Sequence, residues 1–78
     1  GCGAPAPTRR PPVYERIDQA NRRGVRQLER GRLRAAERSF EEALRAARSV
    51  EARQETAAAL VNLARLYGEA GETAKIPA

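Results

Sequence analysis

The sequence predicts an all-α fold of three antiparallel helices, and three observations lead to it. Apolar side chains recur three or four residues apart in three separate segments, which is the period of one helix face. No segment alternates apolar and polar residues as a half-buried strand does. Proline or glycine marks the beginning or the end of each stripe, and the connections are short enough to make neighbouring helices antiparallel.

Residues 1–12 read GCGAPAPTRRPP and are predicted to form a flexible tether. Four of these residues are proline and two are glycine, and none is a large apolar residue. Proline fixes φ and lacks an N–H group, so this segment does not favour a helix. We expect the helical domain to occupy residues 13–72 and a short tail to occupy residues 73–78.

The first two helices are predicted from stripes on either side of Gly31, which is expected to end the first helix. The first stripe begins just after Pro12, as suits a helix start, and consists of Val13, Ile17, Ala20, Gly24 and Leu28. The second consists of Leu33, Ala36, Phe40, Ala43, Leu44 and Ala47. Polar residues then interrupt the pattern between 49 and 55.

The third helix is expected to begin at Ser49 as its N-cap, with Glu51 near its positive end. Its stripe consists of Ala57, Leu60, Leu63, Ala64 and Tyr67. Gly71 is expected to end it, and Pro77 prevents a long fourth helix. Phe40 and Tyr67, the aromatic residues of the stripes, are expected to be core residues.

An internal repeat relates the first helix to the third. Gly24 and Gly31 are matched by Ala64 and Gly71, forty residues later. The chain resembles the tetratricopeptide-repeat (TPR) family over residues 13–72. The first half of the family pattern is matched by Leu60, Leu63, Ala64, Tyr67 and Gly71, and the second half by Gly24, Gly31, Ala36, Phe40, Ala43 and Leu44. The chain departs from the pattern at Ala20, Arg23 and Gln27, lacks its terminal proline, and has about six extra residues between repeats, like the longer-period variants of the family.

This resemblance implies a TPR-like helical hairpin followed by the first helix of a second repeat, and a protein-binding function. In the family, the inner face of each first helix lines a groove for a peptide. By position, that face implies protein-binding residues Asn21, Arg22, Val61, Asn62 and Arg65. Arginine and asparagine can bind a carboxylate or the main chain of a partner. We also expect the side of the third helix with Val61, Asn62, Arg65 and Leu66 to be exposed and to dock the partner.

The net charge of +5 is concentrated in the first half of the chain. Residues 9–38 contain ten arginines and four acidic residues. Phosphate contacts need such charge, but stacking aromatics are missing, and Glu29 and Glu37 dilute the patch. We therefore expect no nucleic acid, and favour an acidic protein or an anionic membrane surface as the partner.

Cys2 lies in the segment Gly1–Cys2–Gly3, which resembles the processing site of bacterial lipoproteins. The resemblance implies lipidation of Cys2, because acyl chains anchor a protein by burying methylene groups. It also implies the cell envelope, and Gly3 in place of Asp favours the periplasmic face of the outer membrane. A mature lipoprotein begins at cysteine, whereas Gly1 precedes it here. The alternative is an unpaired thiol in a cytoplasmic protein.

No residue pattern points to catalysis. The chain has no His, no nucleophile–base arrangement, no phosphate-binding loop and no set of metal ligands. We expect no enzymatic activity, no cofactor and no small-molecule substrate. Two functions remain as hypotheses: a lipid-anchored envelope adaptor that docks another protein, and a structural subunit that packs permanently in a larger assembly or associates with itself.

Overall fold

Three α-helices account for most of the chain in the computed structural model, which describes residues 11–76. Helix α1 spans Pro12–Glu29, α2 spans Leu33–Ser49 and α3 spans Arg53–Ala70. A short 3-10 helix follows at Thr73–Lys75. Residues 11–76 contain no strand, and the predicted all-α class with three helices is confirmed. Most of the predicted tether, together with Cys2, lies outside the described residues.

The three helices all end in the same backbone motif. The residue after each last turn has a positive φ, with 75° at Gly31, 53° at Glu51 and 72° at Gly71. The N–H of the following residue donates to the carbonyl five residues earlier. The N···O distances are 2.8 Å from Arg32 to Gln27, 2.9 Å from Ala52 to Ala47 and 2.8 Å from Glu72 to Tyr67. These bonds satisfy carbonyls that the helix leaves unpaired. The predicted ends at the two glycines are therefore confirmed, and the motif recurs at 31, 51 and 71.

The start of α3 differs from the prediction, and Ser49 is not its N-cap. Ser49 is the last residue of α2, and its hydroxyl donates to the carbonyl of Ala46 at 2.7 Å. The left-handed conformation of Glu51 closes α2 first, so Glu51 precedes α3 instead of lying in its first turn. Helix α3 begins at Arg53 after Ala52, which makes no side-chain capping bond.

The core forms where α2 packs between α1 and α3, and it has two parts. The first is rich in alanine and consists of Ile17, Ala20, Ala43, Ala47, Ala52 and Ala59. The second is bulkier and consists of Leu28, Ala36, Phe40, Leu63, Leu66 and Tyr67. Alanine permits close approach of the helix backbones, while the second part supplies most of the buried apolar volume. The core positions predicted for Phe40 and Tyr67 are confirmed.

Gly24 is the point of closest approach between α1 and α2. The ring of Phe40 lies against it, and a Cβ atom at position 24 would be only 2.4 Å from Phe40 Cε1. Phe40 itself has no solvent exposure. The small residue predicted at this position therefore makes room for the largest fully buried side chain.

The buried face of α3 is only partly the predicted one. Leu63 and Tyr67 are buried as expected, but Ala57 is exposed, and Leu60 and Ala64 are half-buried. Leu66 was expected on the exposed side and is in fact fully buried. Apolar residues surround much of α3, so its own pattern does not determine which side packs against α2.

Candidate protein-docking site

Two of the predicted binding residues contact each other. Asn62 Nδ2 donates to Asn21 Oδ1 at 3.2 Å, which joins α3 directly to α1. Both side chains are half-buried. The bond uses one donor and one acceptor, and each amide retains further hydrogen-bonding capacity. The pair thus fixes the distance between the first and third helices and also forms part of their shared surface.

The other predicted binding residues are accessible. Arg22 is exposed on α1, and Val61 on α3 has 67% of its surface exposed. Arg65 lies one turn after Val61, and its Nε is 3.3 Å from the Glu69 carboxylate in an exposed ion pair. Such a pair contributes little to stability, so Arg65 can exchange Glu69 for another carboxylate.

A continuous row of small and apolar side chains, here named the apolar side of α3, lies next to these residues. It consists of Ala57, Leu60, Val61, Ala64 and Gly68, which share one side through their three- and four-residue spacing. Leu60 and Ala64 are half-buried, and the other three are exposed. A Cβ atom at Gly68 would meet nothing within 4 Å. Sequence reasoning missed this side because it placed Ala57, Leu60 and Ala64 in the core.

An open cleft continues the apolar side of α3 toward the α2–α3 connection. Ala57 and Leu60 are part of its lining, and its remaining lining residues are Arg48, Glu51, Arg53 and Thr56. Two arginines and one glutamate leave this end with a positive charge. The surface therefore combines an apolar strip with a basic end.

A network of charged groups lies at the opposite end of α3. The Tyr67 hydroxyl donates to Glu37 Oε2 at 2.7 Å, and Arg34 donates to Glu37 Oε1 at 3.0 Å. Arg34 also pairs with Glu72 at 2.6 Å, and Glu72 pairs with Lys75 at 3.0 Å. Lys75 Nζ lies 5.7 Å from the centre of the Tyr67 ring. These contacts fasten the 3-10 helix to α2 and α3.

The pKa shifts within this network agree with a structural role. Burial, followed by the hydrogen bond to Glu37, raises the pKa of Tyr67 to about 12. The bond from Tyr67 is also the main reason that the pKa of Glu37 is lowered. The pKa of Glu72 is lowered chiefly by its bond with Lys75, and next by that with Arg34. Tyrosine acts as a nucleophile more readily when its pKa is depressed, and here the shift has the opposite sign.

Residues 11–76 contain neither a metal-ligand cluster nor a membrane-spanning helix. No three His, Cys, Asp or Glu side chains come together as a set of metal ligands in this part of the chain. None of its helices combines the length and the apolar character of a membrane span. Cys2, the predicted lipidation site, lies outside the described residues.

No protein family, curated protein or solved structure shows a match to this chain. Function is therefore inferred from its own residues and their geometry.

Proposed function

We propose that this chain is a non-enzymatic protein-interaction module of TPR-like architecture that docks a helix of a partner protein on the apolar side of α3. The observation that supports it is the partly exposed row of Ala57, Leu60, Val61, Ala64 and Gly68. Covering such a row removes apolar surface from water, which contributes about 25 cal/mol per Å². The small residues also let a second helix backbone approach closely.

The internal repeat suggests what covers this row. Helix α2 packs on α1 with Phe40 against Gly24. Ala64 follows Gly24 by forty residues and occupies the corresponding place on α3. A helix related to α3 as α2 is to α1 would set a bulky side chain over Ala64. We therefore infer an amphipathic partner helix with a large apolar residue at the centre of its docking face.

The charges at the two ends of this surface favour one orientation of the partner helix. The cleft at the start of α3 has Arg48 and Arg53 against Glu51, so acidic side chains on the partner are favoured at that end. Arg65, and Arg22 across the Asn21–Asn62 pair, can bind carboxylates or main-chain carbonyls of the same partner. Val61 thus belongs to the apolar contact itself, and the polar residues among the predicted binding residues form its border.

The membrane anchor remains a separate part of the proposal. We propose that Cys2 is acylated and holds the module at the periplasmic face of the outer membrane, and the support is the Gly1–Cys2–Gly3 segment. Intact-mass analysis of protein from its native host should show an acylated Cys2 and no Gly1. An unmodified chain that retains Gly1 would remove the envelope location and leave the helical surface unaffected.

Photo-crosslinking from position 61, followed by binding measurements with the captured protein, tests the docking surface. Ala64→Asp places a charge in the middle of the apolar side and should weaken binding of that protein at least tenfold, because a buried unpaired charge is costly. Ala58→Asp is the matched control, since Ala58 is an exposed alanine of the same helix outside the apolar row.

Equal effects of Ala64→Asp and Ala58→Asp on the affinity for the captured protein would refute docking on the apolar side of α3. A captured segment that is not helical would refute the proposed partner. The structural-subunit alternative uses the same surface, and a complex that does not exchange subunits over hours would favour it over a reversible adaptor.

A further inference from the structure

A second surface lies between α1 and α2, on the side of the hairpin turned away from α3. It is an open groove with three arginines along it and one acidic residue near its middle. The residues that matter to its chemistry are Arg23, Gln27, Arg38, Ser39, Glu42 and Arg45.

A network of hydrogen bonds joins the side chains that line this groove. Ser39 is 3% exposed, and its hydroxyl donates to Gln27 Oε1 at 2.6 Å. The same hydroxyl accepts a bond from Arg23 Nε at 3.0 Å. A terminal nitrogen of Arg23 pairs with the Glu42 carboxylate. The Arg23 guanidinium is therefore oriented before any ligand arrives, and it compensates the charge of Glu42.

Two further guanidinium groups remain available. Arg38 lies four residues before Glu42 and Arg45 three residues after it, so the three share one side of α2. Both arginines are exposed, and neither forms an ion pair within residues 11–76. Seven residues at 1.5 Å each separate them by about 10 Å along the helix axis.

Helix α1 extends the positive charge along the groove. Arg16 and Arg30 stand seven residues on either side of Arg23 and therefore lie on nearly the same side of the helix. The acidic residues of α1 fall on other sides of it: Glu15, Asp18 and Glu29. The groove is thus a basic surface on both of its walls, with Glu42 as its acidic group.

We propose that this groove binds an extended acidic segment of a protein through carboxylates three residues apart, one on Arg38 and one on Arg45. In an extended chain of the polyproline II type, three residues make one turn and rise about 9 Å, so side chains three residues apart share one face at close to the separation of Arg38 and Arg45. A guanidinium group matches a carboxylate with two parallel hydrogen bonds. Between the two carboxylates, a peptide N–H can donate to Glu42.

Glu42 and the composition of the groove favour a peptide over other polyanions. A DNA backbone has phosphates but no donor to offer the Glu42 carboxylate, and no aromatic side chain lines the groove for the base stacking on which single-stranded RNA recognition depends. A lipid surface would be bound better by apolar side chains that insert into it. The exposed large apolar residues among positions 11–76, which are Val50, Val61 and Ile76, lie outside the groove.

The groove and the apolar side of α3 are separate surfaces, so this inference does not depend on helix docking. The test uses the full chain and a fluorescent Gly/Ser peptide that carries two aspartates separated by two residues. Binding is followed by fluorescence anisotropy at about 0.1 M salt, where charges more than about 10 Å apart are largely screened. Arg38→Gln and Arg45→Gln should each weaken binding by about tenfold, as expected for the loss of a charge-assisted hydrogen-bond pair.

Arg32→Gln is the matched control, because it removes the same charge from an exposed position outside the groove and outside the cleft at the start of α3. It should change affinity by less than about twofold, since distant exposed charges are screened. Circular dichroism should show equal helicity in all three variants.

Three results would overturn the proposal. The first is equal binding of a peptide with asparagine in place of both aspartates, or no binding of either peptide. The second is an equal loss from Arg32→Gln, which would indicate attraction by net charge alone. The third is tighter binding of a single-stranded oligonucleotide or of anionic lipid vesicles with the same dependence on Arg38 and Arg45, which would assign the groove to phosphate groups.

Discussion

Replacing Gly24 with alanine tests the packing of α1 on α2. The added Cβ would lie 2.4, 2.6 and 2.9 Å from three ring carbons of Phe40, Cε1, Cδ1 and Cζ. Carbon atoms pack at about 3.5–4.0 Å, so ring and helix must separate by roughly 1 Å. Phe40 has no exposed surface into which it could move. Overpacking of this kind costs about 1–3 kcal/mol, and three simultaneous overlaps favour the upper part of that range.

Helix propensity offsets part of this cost, because alanine is about 1 kcal/mol better than glycine in a helix interior. The net loss in the free energy of unfolding should therefore be about 1–2 kcal/mol. For a domain of this size, that loss lowers the Tm by roughly 5–15 °C. Urea and thermal unfolding followed by circular dichroism would measure both quantities.

Gly68→Ala is the matched control, since a Cβ atom at that position of α3 meets nothing within 4 Å. It gains helix propensity without overlap and should stabilise the fold by about 0.5–1 kcal/mol. The two substitutions are chemically identical and should have opposite signs. If Gly24→Ala stabilised the protein as Gly68→Ala does, the Phe40 ring would not lie on Gly24, and the proposed correspondence with Ala64 would fail with it.

Three other substitutions have defined outcomes. Phe40→Ala should cost about 3–5 kcal/mol and leave so small a domain largely unfolded in urea titrations, whereas a loss below about 1 kcal/mol would contradict its burial. Glu51→Gly should stabilise by about 1 kcal/mol in thermal unfolding, because Glu51 has a φ of 53° that glycine adopts without strain; a lower Tm would contradict that conformation. The raised pKa of Tyr67 contributes stability that is complete below its ordinary value of 10.0 and is lost as the pH rises toward about 12. The lowered pKa of Glu37 contributes stability above 4.5 that is lost as the pH falls below that value. Tyr67→Phe should therefore flatten the pH dependence of unfolding at both extremes, and parallel profiles for the two proteins would refute the role of the Tyr67–Glu37 bond.

The sequence alone was sufficient for the buried faces of α1 and α2. Each has one apolar stripe and a polar remainder, so its buried face is determined before any partner is considered. The stripe from Ile17 to Leu28 and the burial of Phe40 were predicted correctly for this reason. Gly31 and Gly71 likewise marked helix ends, because glycine adopts a positive φ at no steric cost.

The end of α2 and the orientation of α3 required the tertiary structure. Glu51 carries no signal for the left-handed conformation that it adopts, and so the adjacent Ser49 was misassigned as a cap. In α3, apolar residues occur on several sides, and packing against α2 selects Leu66 for the core and leaves Ala57 exposed.

For the candidate surfaces too, the sequence predicted some features and the tertiary structure decided others. The resemblance to the repeat family implied that Asn21 and Asn62 line a common face, but not that they bond to each other. The apolar side of α3 and the groove at Ser39 depend on how far the neighbouring helices extend over each other. Helical period determines which residues of one helix lie together, because it is a local property of the backbone. Which of those faces is covered depends on contacts between helices, because burial is a property of the packed chain as a whole.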